Sequence, residues 1–155
     1  MTINRNKKGK RFELDVAHLL NSITSSPWFR VANSGGLANR RPDNMLGFQG
    51  DVFSNDERYK NIVVECKFWN KLSINDLFST KSLLHLAIKQ AENEAGSNPW
   101  MLFIKTNNQG TLLILPDFIN TDYTEVTNIL SKSDDYENNN NNFICDDVPI
   151  IRLHV

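Results

Sequence analysis

Apolar residues at Phe12, Val16, Leu19, Leu20 and Ile23 follow spacings of four, three, one and three, the stripe of an amphipathic helix behind a polar arm at residues 1–9. Pro27 ends the pattern. Residues 28–32 read as a short strand, Asn33-Ser34-Gly35-Gly36 as a turn or loop, and residues 37–48 as an excursion. Residues 51–54 and 61–68 predict a hairpin across the polar, turn-compatible stretch 55–60. Side chains alternate along a strand, so Val63, Glu65 and Lys67 belong to one face.

Farther along, Ser73 is expected to cap a long helix reaching about Glu94, with Asp76 early and Leu77, Leu84, Ala87, Ile88 and Ala91 as its apolar positions. Gly96 and Pro99 stop it. Residues 100–105 and 111–115 are two apolar strands around the hairpin-like Asn107-Asn108-Gln109-Gly110, and Pro116 ends the second. These strands suit either a core or an interface. Residues 117–130 predict a short helix, 148–154 an edge strand, and the asparagine tract 138–142 a solvated loop.

With 155 residues, 40% hydrophobic and 23% charged, the chain suits one domain over 1–155. It has no apolar run of the roughly 18 residues a bilayer span needs, and its start is basic and polar, so a cytoplasmic protein with no membrane partner is expected. Cys66 and Cys145 form no CxxC pair, which argues against a disulfide framework or a zinc site and makes Cys66 a buried strand residue. His18, His85 and His154 are scattered and form no ligand motif. The net charge of −1 conceals polarity along the chain. Residues 1–41 carry eight Lys or Arg against two acids, a balance of +6, and residues 116–155 carry two against eight, −6. Arg5, Lys7, Lys8, Lys10 and Arg11, extended by Arg30, Arg40 and Arg41, are therefore candidates for neutralising phosphates, with a solvated basic arm as the alternative.

The chemistry concentrates at Glu65-Cys66-Lys67, near the end of a predicted strand, and at Asp51, which follows Gly50 fourteen positions before Glu65. Two carboxylates hold a hard divalent cation through oxygen, and Lys67 lies on the same strand face as Glu65. In the competing reading Glu65 and Lys67 are an exposed same-face pair and Asp51 merely begins a turn. Pro42-Asp43 falls in an expected loop without a following strand and is set aside.

The order helix, strand, hairpin, helix, strand, strand, with Glu13, Gly50-Asp51 and Glu65-Cys66-Lys67 embedded in it, resembles the PD-(D/E)xK nuclease superfamily over most of the first two thirds of the chain. Lys8-Gly9-Lys10-Arg11-Phe12-Glu13, Val31-Ala32-Asn33-Ser34-Gly35-Gly36 and Asp51 look like archaeal-type Holliday junction resolvases, also found among viruses. The acidic, Asn-rich portion at 116–155 departs from that compact pattern.

The resemblance implies an α/β, restriction-endonuclease-like mixed central sheet flanked by helices. It also implies that Asp51, Glu65 and the backbone carbonyl of Cys66 bind Mg2+ or Mn2+, with Glu13 contributing directly or through water. Lys67 would orient the attacking water. Ser34 would donate to the scissile phosphate, or else satisfy its own loop. Gln90 matches a helix glutamine used by some related nucleases, although a plain surface role is the more economical reading. The expected function is metal-dependent endonucleolytic resolution of four-way DNA junctions in recombination, by a homodimer associated with nucleoid or viral DNA. The alternatives are a restriction or repair nuclease of the same superfamily and a noncatalytic DNA-binding or assembly protein.

Overall fold

The computed structural model describes residues 5–31, 49–107, 110–116 and 150–153. Its elements are α1 (Arg5–Thr24), β1 (Trp28–Arg30), β2 (Val52–Ser54), β3 (Val63–Trp69), a 3-10 turn (Ile74–Leu77), α2 (Leu83–Ala95), β4 (Trp100–Thr106), β5 (Gly110–Pro116) and β6 (Ile150–Leu153). The described strands make one sheet in the order β1-β2-β3-β4-β5-β6. β1–β2, β2–β3 and β4–β5 pair antiparallel, whereas β3–β4 and β5–β6 pair parallel. Parallel neighbours need a long crossover, and α2 supplies it between β3 and β4.

Phe12, Val16 and Leu20 of α1 are buried against Trp28, Val52, Val64, Met101 and Phe103 on one face of the sheet. On the other face, Leu84, Ala87, Ile88 and Ala91 of α2 cover Val63, Leu102, Ile104 and Ile114. Met101 and Phe103 point one way and Leu102 and Ile104 the other, so β4 is apolar on both faces because helices cover both. The side chains from Trp100 to Ile104 belong to the core, which closes the interface alternative for these residues.

Three sequence expectations are corrected. Residues 5–9 are not an arm: α1 starts at Arg5, and Lys8 is anchored by its ammonium over the Phe68 ring at 5.4 Å and by Asn107 Oδ1 at 3.3 Å. The long helix from Ser73 is divided. Ser73 and Asp76 form a reciprocal cap on the 3-10 turn, and Ser82 separately caps α2, its hydroxyl oxygen accepting from His85 N at 3.2 Å. Leu77 is 42% exposed, so the core has no place for the first turn of a continuous helix. The strand expected at 28–32 stops at Arg30. The edge strand expected at 148–154 corresponds to β6 at the end of the described sheet. The helix expected at 117–130, the asparagine tract and Cys145 lie outside the described residues.

Side-chain hydrogen bonds end α1 and set β1. Thr24 Oγ1 donates to Leu20 O at 2.7 Å and accepts from Trp28 Nε1 at 2.9 Å, while Asn21 Oδ1 accepts from Trp28 N at 2.6 Å. These bonds redirect the chain into the sheet. Among the described residues, no helix is long and apolar enough to cross a membrane.

Candidate active site

Gly50 brings the first carboxylate to the sheet. Its φ is +82°, and a Cβ added there would stand 2.6 Å from Val64 O, so only a glycine lets the chain approach β3 this closely. The consequence appears one residue later: Asp51 N donates to Val64 O at 2.7 Å, and Asp51 Oδ2 accepts from Cys66 N at 2.9 Å. On its other side, Val31 N donates to Asp51 O at 2.8 Å. Asp51 is thus fixed between β1 and β3 by backbone and side chain together.

Glu65 is only 3% exposed. It lies on the α2 face of β3, and Lys67, two residues on, donates from Nζ to Glu65 Oε2 at 3.2 Å. Burial, then the neighbouring Asp51 charge, pushes the Glu65 carboxyl up to about 8, against the opposing pull of Lys67. Glu94 of α2 adds to the rise through a side-chain hydrogen bond and its charge. Gln90, one turn earlier, donates from Nε2 to Glu94 Oε1 at 2.8 Å and so holds it. Burial likewise drives the Cys66 thiol well upward, with the Asp51, Glu65 and Glu13 charges adding to it.

The structure therefore brings Asp51, Glu65 and Lys67 together, and places Cys66 between the last two. Glu65 is not the exposed half of a surface pair. Glu13 stands apart from this group in its bonding: it takes Arg30 Nε at 2.5 Å, joining α1 to β1 on the other face of the sheet. Arg30 is thus partly buried in an ion pair, while Lys7, Lys10 and Arg11 are exposed along α1. Ser34, Arg40 and Arg41 lie outside the described residues, as do Pro42-Asp43 and the Arg5 side chain. Glu94 was missed in the sequence, where it served only as a helix end. Its position three residues after buried Ala91 and beside buried Ala95 is the signal that sets it at the margin of the sheet-facing stripe.

The donor set suits a hard cation. Asp51 and Glu65 are oxygen donors, and their mutual repulsion is among the forces that keep a proton on Glu65, a role a divalent cation would take over. Among the described residues no three His, Cys, Asp or Glu side chains gather closely enough for a ligand set supplied by the protein alone. That is compatible with Mg2+, which commonly takes one or two carboxylates and completes its shell with water and substrate phosphate.

A mixed sheet covered by a helix on each face, with an aspartate before β2 and Glu-x-Lys on β3, defines the restriction-endonuclease-like class of α/β nucleases. The model of the family described as "Phage putative PDDEXK endonuclease" matches residues 4–149, and the chain belongs to that family. No curated protein and no solved structure matches it.

Proposed function

We propose that this protein is a divalent-cation-dependent DNA endonuclease that hydrolyses phosphodiester bonds and, in its most specific form, resolves four-way junctions as a homodimer. The observation that carries the nuclease reading is the convergence of Asp51, buried Glu65 and Lys67, which the Gly50 approach and the bond from Cys66 N to Asp51 create. Asp51 and Glu65, with the Cys66 carbonyl, hold Mg2+ or Mn2+. When bound, the cation supplies positive charge that offsets charge developing on the phosphate oxygens. Lys67 places an ammonium beside Glu65, where it orients water for attack on phosphorus. Glu13 acts as an outer carboxylate that fixes Arg30 for a phosphate, and Ser34 donates to the scissile group. Paired junction cuts would follow from twofold symmetry, each copy addressing one strand.

The family's description names an endonuclease, and the same chemistry on another DNA structure is the second reading. Cleavage gels with Mg2+ on four-way junctions, linear duplex, single strands and flaps separate the two. Paired, symmetric nicks confined to the junction are expected; equal cutting of all four substrates leaves the nuclease and removes junction selectivity. Lys67→Ala is expected to abolish cutting and spare DNA binding. An unchanged cutting rate would take Lys67 out of the mechanism, and binding without cutting by the unaltered protein would make it a noncatalytic DNA-binding protein.

A further inference from the structure

Beyond the catalytic group, the connection from β3 to α2 carries a set of residues that neither the core nor the site uses. Phe78 is 83% exposed, a large apolar surface to leave in water. Yet it is not on a loose tip. Phe78 N donates to Asn75 O at 3.2 Å, Ser73 N to Asp76 Oδ2 at 2.8 Å, and Ser82 Oγ to Asp76 O at 2.7 Å, so bonds on both sides hold the ring out. Residues 67–89 contain four lysines and a single acid, Asp76, whose carboxylate is engaged in the cap of the 3-10 turn. Lys71 and Lys81 flank Phe78, both exposed, and among the described residues neither is ion-paired.

The same end of β3 receives the basic start of α1. Lys8 Nζ donates to Asn107 Oδ1 at 3.3 Å, and Asn107 Nδ2 donates to Asn70 Oδ1 at 3.4 Å, directly before Lys71. Positive charge from α1 therefore continues, through the end of β3 just beyond Lys67, into the connection that bears Phe78. A rigid exposed aromatic between unpaired lysines is the combination that binds nucleic acid with splayed bases: the ammonium groups take phosphates and the ring stacks on a base face.

We infer that the β3–α2 connection is a DNA-contacting element in which Phe78 stacks on an unpaired or unstacked base while Lys71 and Lys81 take the flanking phosphates. This deepens the nuclease reading and rests on it, because it names a substrate feature for the same site: DNA that is incompletely paired. Leu83 and Leu86, also exposed, prolong the apolar strip and make a second copy of the chain the rival occupant. A twofold pairing through this strip would set Lys71 and Lys81 of one copy near those of the other, an unfavourable arrangement.

The test is fluorescence anisotropy in EDTA, where binding is read without cutting, with labelled perfect duplex, the same duplex carrying a short gap, and a four-way junction. Phe78→Ala is expected to weaken binding to gapped DNA by roughly tenfold and to leave perfect duplex within about twofold, the scale of one lost stacking contact. Lys71→Ala with Lys81→Ala is expected to weaken all three probes and lower the salt slope by about two, one for each lost phosphate contact. Binding of gapped DNA by Phe78→Ala within about twofold of the unaltered protein's overturns the inference. So does sedimentation showing a dimer that Phe78→Ala converts to monomer with DNA affinity unchanged, which would assign the strip to a second copy. Failure of the unaltered protein to bind any probe in EDTA overturns the inference, whereas failure to cut any of them in Mg2+ removes the nuclease reading, so the two failures are distinguishable. Because Phe78 is exposed, the variant's unfolding temperature serves as the control that it folds.

Discussion

Burying Glu65 should make the metal-free protein lose stability as pH rises, and Glu65→Gln should remove that loss. The folded carboxyl releases its proton near 8, against an ordinary value of 4.5, so between these limits the folded chain holds a proton that the unfolded chain has given up. Stability from this group is complete below about 4.5, falls through the window and is lost above about 8. The gap of 3.5 between the two values, at about 1.4 kcal/mol per tenfold change in proton affinity, amounts to ~5 kcal/mol. That is a large fraction of the 5–15 kcal/mol, roughly, that holds a typical domain together.

Glutamine keeps the shape and cannot ionise, and every other titrating group is common to both proteins. The difference in urea-unfolding free energy between Glu65→Gln and the unaltered chain, in EDTA, is therefore expected to grow by several kcal/mol from pH 5 to pH 9. A difference constant to within about 1 kcal/mol, the size of a single ordinary hydrogen bond, would refute the reasoning. A second arm follows from the proposed cation. Mg2+ at about a hundred times its dissociation constant adds ~2.7 kcal/mol by mass action, and should do so at pH 8 for the unaltered chain and not for the variant. The two arms are independent: a pH slope without a Mg2+ effect leaves the burial argument standing and removes the metal.

Gly50→Ala should cost about 1–3 kcal/mol, from a strained φ and a Cβ pressed against Val64 O, and should cut activity at least about tenfold by displacing Asp51; unfolding curves and nicking rates measure both. Glu94→Ala removes a hydrogen bond and a charge that both raise Glu65, so the pH window of metal-free instability should shrink toward lower pH, read by the same unfolding series. Ser82→Ala removes the cap of α2 and should cost about 1 kcal/mol with nicking unchanged, which calorimetry and the cleavage gel check together.

The stripe of α1 and the alternation of β3 were legible because each is a local period with a buried face: Phe12, Val16 and Leu20 repeat at helical spacing, and Val63, Glu65 and Lys67 at strand spacing. The pairing of Asp51 with β3 followed from the hairpin expected between residues 51–54 and 61–68, but the reason a glycine precedes it, a backbone oxygen 2.6 Å from any Cβ, is a tertiary contact that no local pattern contains. The division of the helix expected at 73–94 depended on competition between two serine caps. Both Ser73 and Ser82 satisfy the same rule, and only the failure of Leu77 to find a core decides between one helix and two elements. Glu94 was hidden for a related reason: its partner Glu65 is twenty-nine positions away in sequence, and a crossover through α2 is needed to bring them together.

The site's cost and its precision have one source. A carboxylate as buried as Glu65 is expensive to ionise, and it stays buried because β3 is paired along its length with β4, which is apolar on both faces and covered by a helix on each. The same rigidity holds Asp51 against Cys66 N and Lys67 against Glu65, so loosening the sheet to relieve the buried charge would also disperse the three groups. Relief has to come from outside the fold, and a divalent cation can enter without moving a strand. On this argument, substitutions that open the core on the α2 face beside Glu65, such as Leu102→Ala, should ease the pH-dependent instability while degrading cleavage, a trade in opposite directions that a merely structural Glu65 would not produce.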